Sequence, residues 1–161
     1  MGSTTFSGPV TSTAGFISGA GSIVTVTAAS AAVTSAAHSG RTVLLDRAAG
    51  QALTLPAATG SGNRYTFFVL TTITSNTTTI KVADATDVMA GAAIVANDGG
   101  DTASIFETAS TSDTITFNGG TTGGIRGATV ELQDVAANLW SVRIVGAATG
   151  TEATPFSATV S

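Results

Sequence analysis

Three kinds of group in this chain could carry chemistry: one imidazole, a few close carboxylate pairs and one glycine-rich loop. The imidazole is His38, the only histidine among 161 residues. A catalytic triad needs a base facing an activated nucleophile, and no G-x-S-x-G elbow accompanies the many serines. One imidazole without cysteine cannot build a zinc site. His38-Ser39-Gly40 therefore reads as a solvated turn. Asp84-Ala85-Thr86-Asp87 and Asp98-Gly99-Gly100-Asp101 each place two carboxylates in one short loop, and calcium takes several such oxygens. Neither spacing is that of an EF-hand, and Asp and Gly are also the ordinary residues of turns, so both pairs read as turns first and as calcium sites second. Paired carboxylates for glycoside hydrolysis would need an aromatic-lined cleft, which one Trp and one Tyr do not furnish. Thr121-Thr122-Gly123-Gly124-Ile125-Arg126-Gly127 lacks the GK[ST] ending of a phosphate loop and reads as a hairpin with close backbone approach. Asn76-Thr77-Thr78 is formally a glycosylation sequon. These residues point away from an enzyme and imply no cofactor, no metal requirement and no small-molecule substrate.

The composition narrows the partners. Apolar residues are 43% of the chain, enough for a core, but charged residues are only 10%, against roughly 25% in ordinary soluble domains. The net charge is −4 with six basic residues. Six cations cannot line a phosphate backbone or an acidic lipid surface, so neither nucleic acid nor membrane is an expected partner. Cysteine is absent, which removes disulfides and thiolate chemistry. The opening MGSTTFSGPV shows no basic and apolar leader pattern, and no apolar run reaches the roughly 18 residues of a membrane span.

The elements that must position these groups are strands. From Ser22 the pattern alternates, with Ile23, Val24 and Val26 interleaved with Thr25 and Thr27. Further strands are predicted at Thr42–Leu45, Ala52–Leu55, Tyr65–Leu70, Thr78–Val82, Ala93–Val95, Ala103–Thr108, Thr114–Phe117, Ala128–Gln133 and Trp140–Val145. Between them lie Gly60-Ser61-Gly62-Asn63, Asn118-Gly119-Gly120 and similar turn residues, which supply the positive φ of tight connections. Ala28–Ser39 is alanine-rich, but its Ser, Thr and Val weaken a helix there. Many short strands with turns every eight to twelve residues predict an all-β body over residues 22–145, an antiparallel β-sandwich or open β-barrel. Its expected core is Leu44, Leu53, Leu55, Phe67, Val69, Ile80, Val82, Ile105, Ile115, Phe117, Val130, Leu132, Trp140, Val142 and Ile144. Residues 1–21 are uncharged and read either as a flexible tail or as an extended N-terminal arm, expected here, whose Phe6, Pro9, Val10, Phe16 and Ile17 are candidate anchors for a partner surface. Residues 146–161 form an extended C-terminal segment with one ionic side chain, Glu152.

Several stretches resemble a known group. Ser39-Gly40-Arg41-Thr42-Val43-Leu44-Leu45-Asp46, then Ala52-Leu53-Thr54-Leu55-Pro56-Ala57, then Gly60-Ser61-Gly62-Asn63-Arg64-Tyr65-Thr66-Phe67-Phe68-Val69 is similar to a block of tailed-bacteriophage virion proteins, above all head decoration (capsid-stabilising, cement) proteins. The run Thr116-Phe117-Asn118-Gly119-Gly120 through Gly127, with Glu131-Leu132-Gln133-Asp134, Trp140-Ser141-Val142 and the ending Gly150–Phe156, resembles the second half of the same group. The opening Phe6–Ser12 resembles the start of phage structural proteins. The resemblance implies a protein on the outer surface of the virion's capsid, made in the host cytoplasm, that binds the major capsid protein and sits as a homotrimer at three-fold positions. It transfers no catalytic residue. A head fibre or tail accessory would use the same β-body; a carbohydrate-binding module would need clustered aromatics that the chain lacks.

Overall fold

A computed structural model describes residues 22–160 of the chain. The arm residues Phe6, Pro9, Val10, Phe16 and Ile17 lie outside the described residues. The body is all-β. Its first six strands are β1 (Ile23–Val26), β2 (Ser30–Ala32), β3 (Thr42–Leu45), β4 (Ala52–Thr54), β5 (Arg64–Val69) and β6 (Thr78–Lys81). They are followed by β7 (Val88–Ala96), β8 (Ala103–Glu107), β9 (Thr114–Phe117), β10 (Thr129–Ala136), β11 (Leu139–Ala147) and β12 (Phe156–Ser157). One short helix, α1 (Ser35–His38), lies between β2 and β3.

The strands form two sheets. Sheet A has the order β1-β3-β5-β10-β11-β7-β8, and sheet B the order β12-β9-β6-β4-β2. The first six strands alternate between the sheets, so the chain winds three times around the space between them. Each strand returns to its own sheet pointing the same way, and the ladders β1·β3, β3·β5, β2·β4 and β4·β6 are parallel. This corrects the antiparallel expectation: both sheets are mixed, and neither closes into a barrel. Parallel neighbours need a crossover, most often a helix; here the strand of the opposite sheet serves as the crossover. The later strands turn back as antiparallel hairpins, β7·β8 and β10·β11, while β11 joins β7 in parallel over nine residue pairs from Leu139↔Val88 to Ala147↔Ala96.

Side chains alternate faces along each strand, and the inward set of both sheets forms one core. Val43, Phe67, Val130 and Ile144 meet it from sheet A, and Leu53, Ile80, Ile115 and Phe117 from sheet B, each no more than 1% exposed. Of the expected core, Leu44 and Ile105 are misplaced. Leu44 is half-buried on the outer face, because Val43 and Leu45 take the inward positions of β3. Ile105 is 68% exposed on edge strand β8. Tyr65, Met89 and Ile73 join the core instead. Phe156 of β12 is buried and pairs with Ile115, so the C-terminal segment is sewn onto sheet B.

Candidate interaction surface

His38, Asp84, Asp87 and Asp98 each have a local hydrogen-bond partner. His38 is not a solvated turn residue: it ends α1, is buried, and its Nδ1 accepts a hydrogen bond from the Thr34 N–H at 3.0 Å. Thr34 caps the same turn by accepting from the Ala37 N–H. The histidine is a local clasp between β2 and β3, and its burial follows from the turn that folds it back on its own N-cap. Asp84 is exposed and accepts from the Thr86 hydroxyl and N–H at 2.6 and 2.9 Å, which holds its carboxyl below the usual range. Asp87 turns inward and accepts from the Ala58 N–H at 3.0 Å. Burial pushes its pKa up, with Asp84 and Asp134 adding to the rise against the Ala58 bond. Asp98 accepts from the Gly150 N–H, and Asp101 is exposed. Among the described residues, no three of His, Asp and Glu converge.

Among the described residues the most heavily bonded side chain is Asp134, which was not among the groups singled out for chemistry. It lies on the inward side of β10 and is 2% exposed. Its carboxylate accepts from the N–H groups of Thr59, Gly60 and Ser61 at 2.6–3.1 Å and from the hydroxyls of Thr59 and Ser61 at 3.1 and 2.7 Å. Burial pushes the pKa up, but the bonds from Ser61, Gly60 and Thr59 prevail and hold it at about 2. The carboxylate thereby fixes the Ala58–Gly62 loop against sheet A. A signal was present in the sequence: Asp134 is two residues past the inward Leu132, hence on the core side, and a Thr-Gly-Ser loop is available to satisfy it. Beside it, Tyr65 and Trp140 meet edge to face, with ring centroids 5.7 Å apart. Trp140 is fully buried, a core anchor and not a platform. Among the described residues, Tyr65 Oη and Trp140 Nε1 have no hydrogen-bond partner.

Among the described residues, the outer face of sheet A gathers exposed apolar side chains that could meet a partner. The strand registers place Leu44, Phe68, Thr129, Val145, Ile94 and Ile105 side by side in one row across six strands. Exposure rises along it from the half-buried Leu44 and Phe68 to Val145 at 44%, Ile94 at 41% and Ile105 at 68%. The neighbouring row carries the charges: Thr66, Glu131, Arg143, Ala92 and Glu107. Glu131 and Arg143 form an exposed ion pair at 4.0 Å. On the same face, a shallow cleft of about 280 Å³ is lined by Arg64, Glu131, Gln133, Ser141 and Arg143. Among the described residues, strand β8 ends the sheet and pairs on one side only.

No protein-family model matches the chain, and no curated protein is similar enough to count as a relative.

Proposed function

We propose that this protein is a structural component of a tailed-phage virion that decorates and stabilises the outside of the capsid, clamping neighbouring major capsid proteins as a homotrimer. The observation that carries the reading is the resemblance of residues 39–69 and 116–156 to head decoration proteins. These residues are the framework of the body: β3, β4 and β5 in the first block, and β9, β10 and β11 in the second. We read the two sheets as a sandwich that serves as a rigid platform, with residues 1–21 as the clamp. The arm's uncharged sequence lets Phe6, Val10, Phe16 and Ile17 bury on a partner without desolvating a charge, and backbone pairing with an exposed strand edge adds affinity. A chain with 10% charged residues also suits permanent contacts, whose buried centres are depleted in charge.

The test is to mix the full chain with undecorated heads, remove unbound protein and image the particles by electron cryomicroscopy. Added density on the outer surface at three-fold positions is expected. Density confined to the tail or to a slender fibre, or no added density, overturns the reading.

A further inference from the structure

Edge strand β8 and the cleft on β5, β10 and β11 lie on one face of sheet A, and each has what the other lacks. Ile105 stands 68% exposed at the edge, and Glu107, two residues along the strand, points to the same side. Among the described residues the one ion pair is Glu131 with Arg143, so Glu107 and Arg64 are both without an oppositely charged partner. They cannot satisfy each other within one molecule. Arg64 is on β5 and Glu107 on β8, with β10, β11 and β7 between them, a separation of about 19 Å at ~4.8 Å per strand.

The charges of this face sum differently from those of the chain. Its ionic side chains are Arg64 and Arg143 against Glu131 and Glu107, which cancel, whereas the whole chain carries −4. Two copies can therefore meet through this face without net repulsion. The edge itself carries none of the usual guards: Ala103-Ser104-Ile105-Phe106-Glu107 has no proline or lysine and a single charge at its end, the type of edge that pairs with another chain. Six strand spacings and strands of four to nine residues give the face about 30 by 20 Å, or about 600 Å² in projection, somewhat under the roughly 800 Å² that each partner contributes to a standard interface.

We propose that this face is where copies of the chain meet, head to tail: Ile105 and Glu107 at the β8 edge of one copy seat in the cleft of the next, with Glu107 facing Arg64. A heterologous contact of this kind uses two different patches of each copy, so repetition about an axis closes a ring with no edge or cleft left over. The three-copy closure rests on the trimeric reading given above.

Sedimentation velocity on the full chain over a wide micromolar range tests this without phage heads, so its failure is distinct from a failure to bind capsids. A three-copy mass is expected. Ile105→Lys should yield monomers with unchanged circular dichroism. Glu107→Arg and Arg64→Glu should each weaken assembly by about ten-fold or more, and the two combined should restore it, which a role in folding alone would not produce. A full chain that stays monomeric, a two-copy mass, an Ile105→Lys variant that keeps the three-copy mass, or a reversed pair no better than either single change overturns the proposal.

Discussion

Replacing Asp134 by Asn swaps an acceptor-only carboxylate for a group with its own N–H donors, facing three backbone N–H groups that need acceptors. Leaving buried donors unpaired costs about 1–3 kcal/mol each, so Asp134→Asn should destabilise the body by roughly 3 kcal/mol or more near neutral pH, measured by urea unfolding. The pH dependence follows from the sign of the shift. The folded carboxyl titrates at about 2, below its ordinary value of 3.8, so its contribution is fully present above about pH 4 and is lost as the pH falls toward 2. At ~1.4 kcal/mol per unit, the wild type should lose roughly 2 kcal/mol over that window, and the gap between it and Asp134→Asn should narrow. Asp87 works in the opposite sense: its pKa is raised, so acidification through that pKa relieves a penalty and does not remove support. Trp140 and Tyr65 give a second contrast. Trp140→Ala opens a large cavity and should cost about 3–5 kcal/mol. Tyr65→Phe removes a buried hydroxyl that has no partner among the described residues and should change stability by less than about 0.5 kcal/mol, or increase it.

At the scale of elements, two turn glycines separate backbone strain from contact. Gly119 (φ +77°) sits so close to another segment that a Cβ would lie 1.7 Å from the Ile73 carbonyl oxygen, whereas Gly62 (φ +76°) has open space around it. Gly62→Ala should cost only the ~1–2 kcal/mol of a left-handed residue. Gly119→Ala should cost distinctly more, because the 70–74 segment must move; parallel denaturation curves check both. The sequence made most strands legible, since Thr alternating with apolar residues has only one comfortable conformation. It did not make their direction legible: a period of two is the same for parallel and antiparallel pairing, and the winding between sheets is a property of connections. It also placed Leu44 and Ile105 on the wrong side. In Thr42-Val43-Leu44-Leu45 both faces carry apolar residues, and Ile105 looks like core until β8 is seen to end the sheet. Ser30–Ala32 escaped notice because small, polar residues leave no hydrophobic signature, and β7 runs well beyond Ala93–Val95 because Ala90, Gly91 and Ala92 leave none either. The Asp134 site was hidden because a lone carboxylate in a strand reads as a surface residue until its parity is checked against Leu132.

For the whole molecule, body and arm should separate cleanly. A chain beginning at Ser22 retains every strand pair described above and the whole buried core, so its melting temperature should match that of the full chain within a degree or two. On the proposed reading its attachment to undecorated heads should be lost or greatly weakened, because ordering a backbone costs roughly 1–2 kcal/mol per residue and the apolar side chains of residues 1–21 are proposed to offset that cost on the partner. Co-sedimentation with heads measures this. A truncated chain that binds as tightly as the full one would move the contact to the body.

The winding of the first six strands also sets an order of assembly. Ile23 meets Thr42 and Ser30 meets Ala52, so each turn completes as soon as the next stretch of chain is available, and the loops to be closed are short. Strand β11 is different: Val88 must wait for Leu139, and only then is the long ladder at the centre of sheet A complete. Loop closure over distant partners slows folding. Refolding followed by pulsed hydrogen exchange should therefore show amides of β3 and β4 protected early, and those of β7 and β11 together in a later phase. Until that phase ends, β7 and β8 are without their place in sheet A, and the unpaired hairpin is open to aggregation.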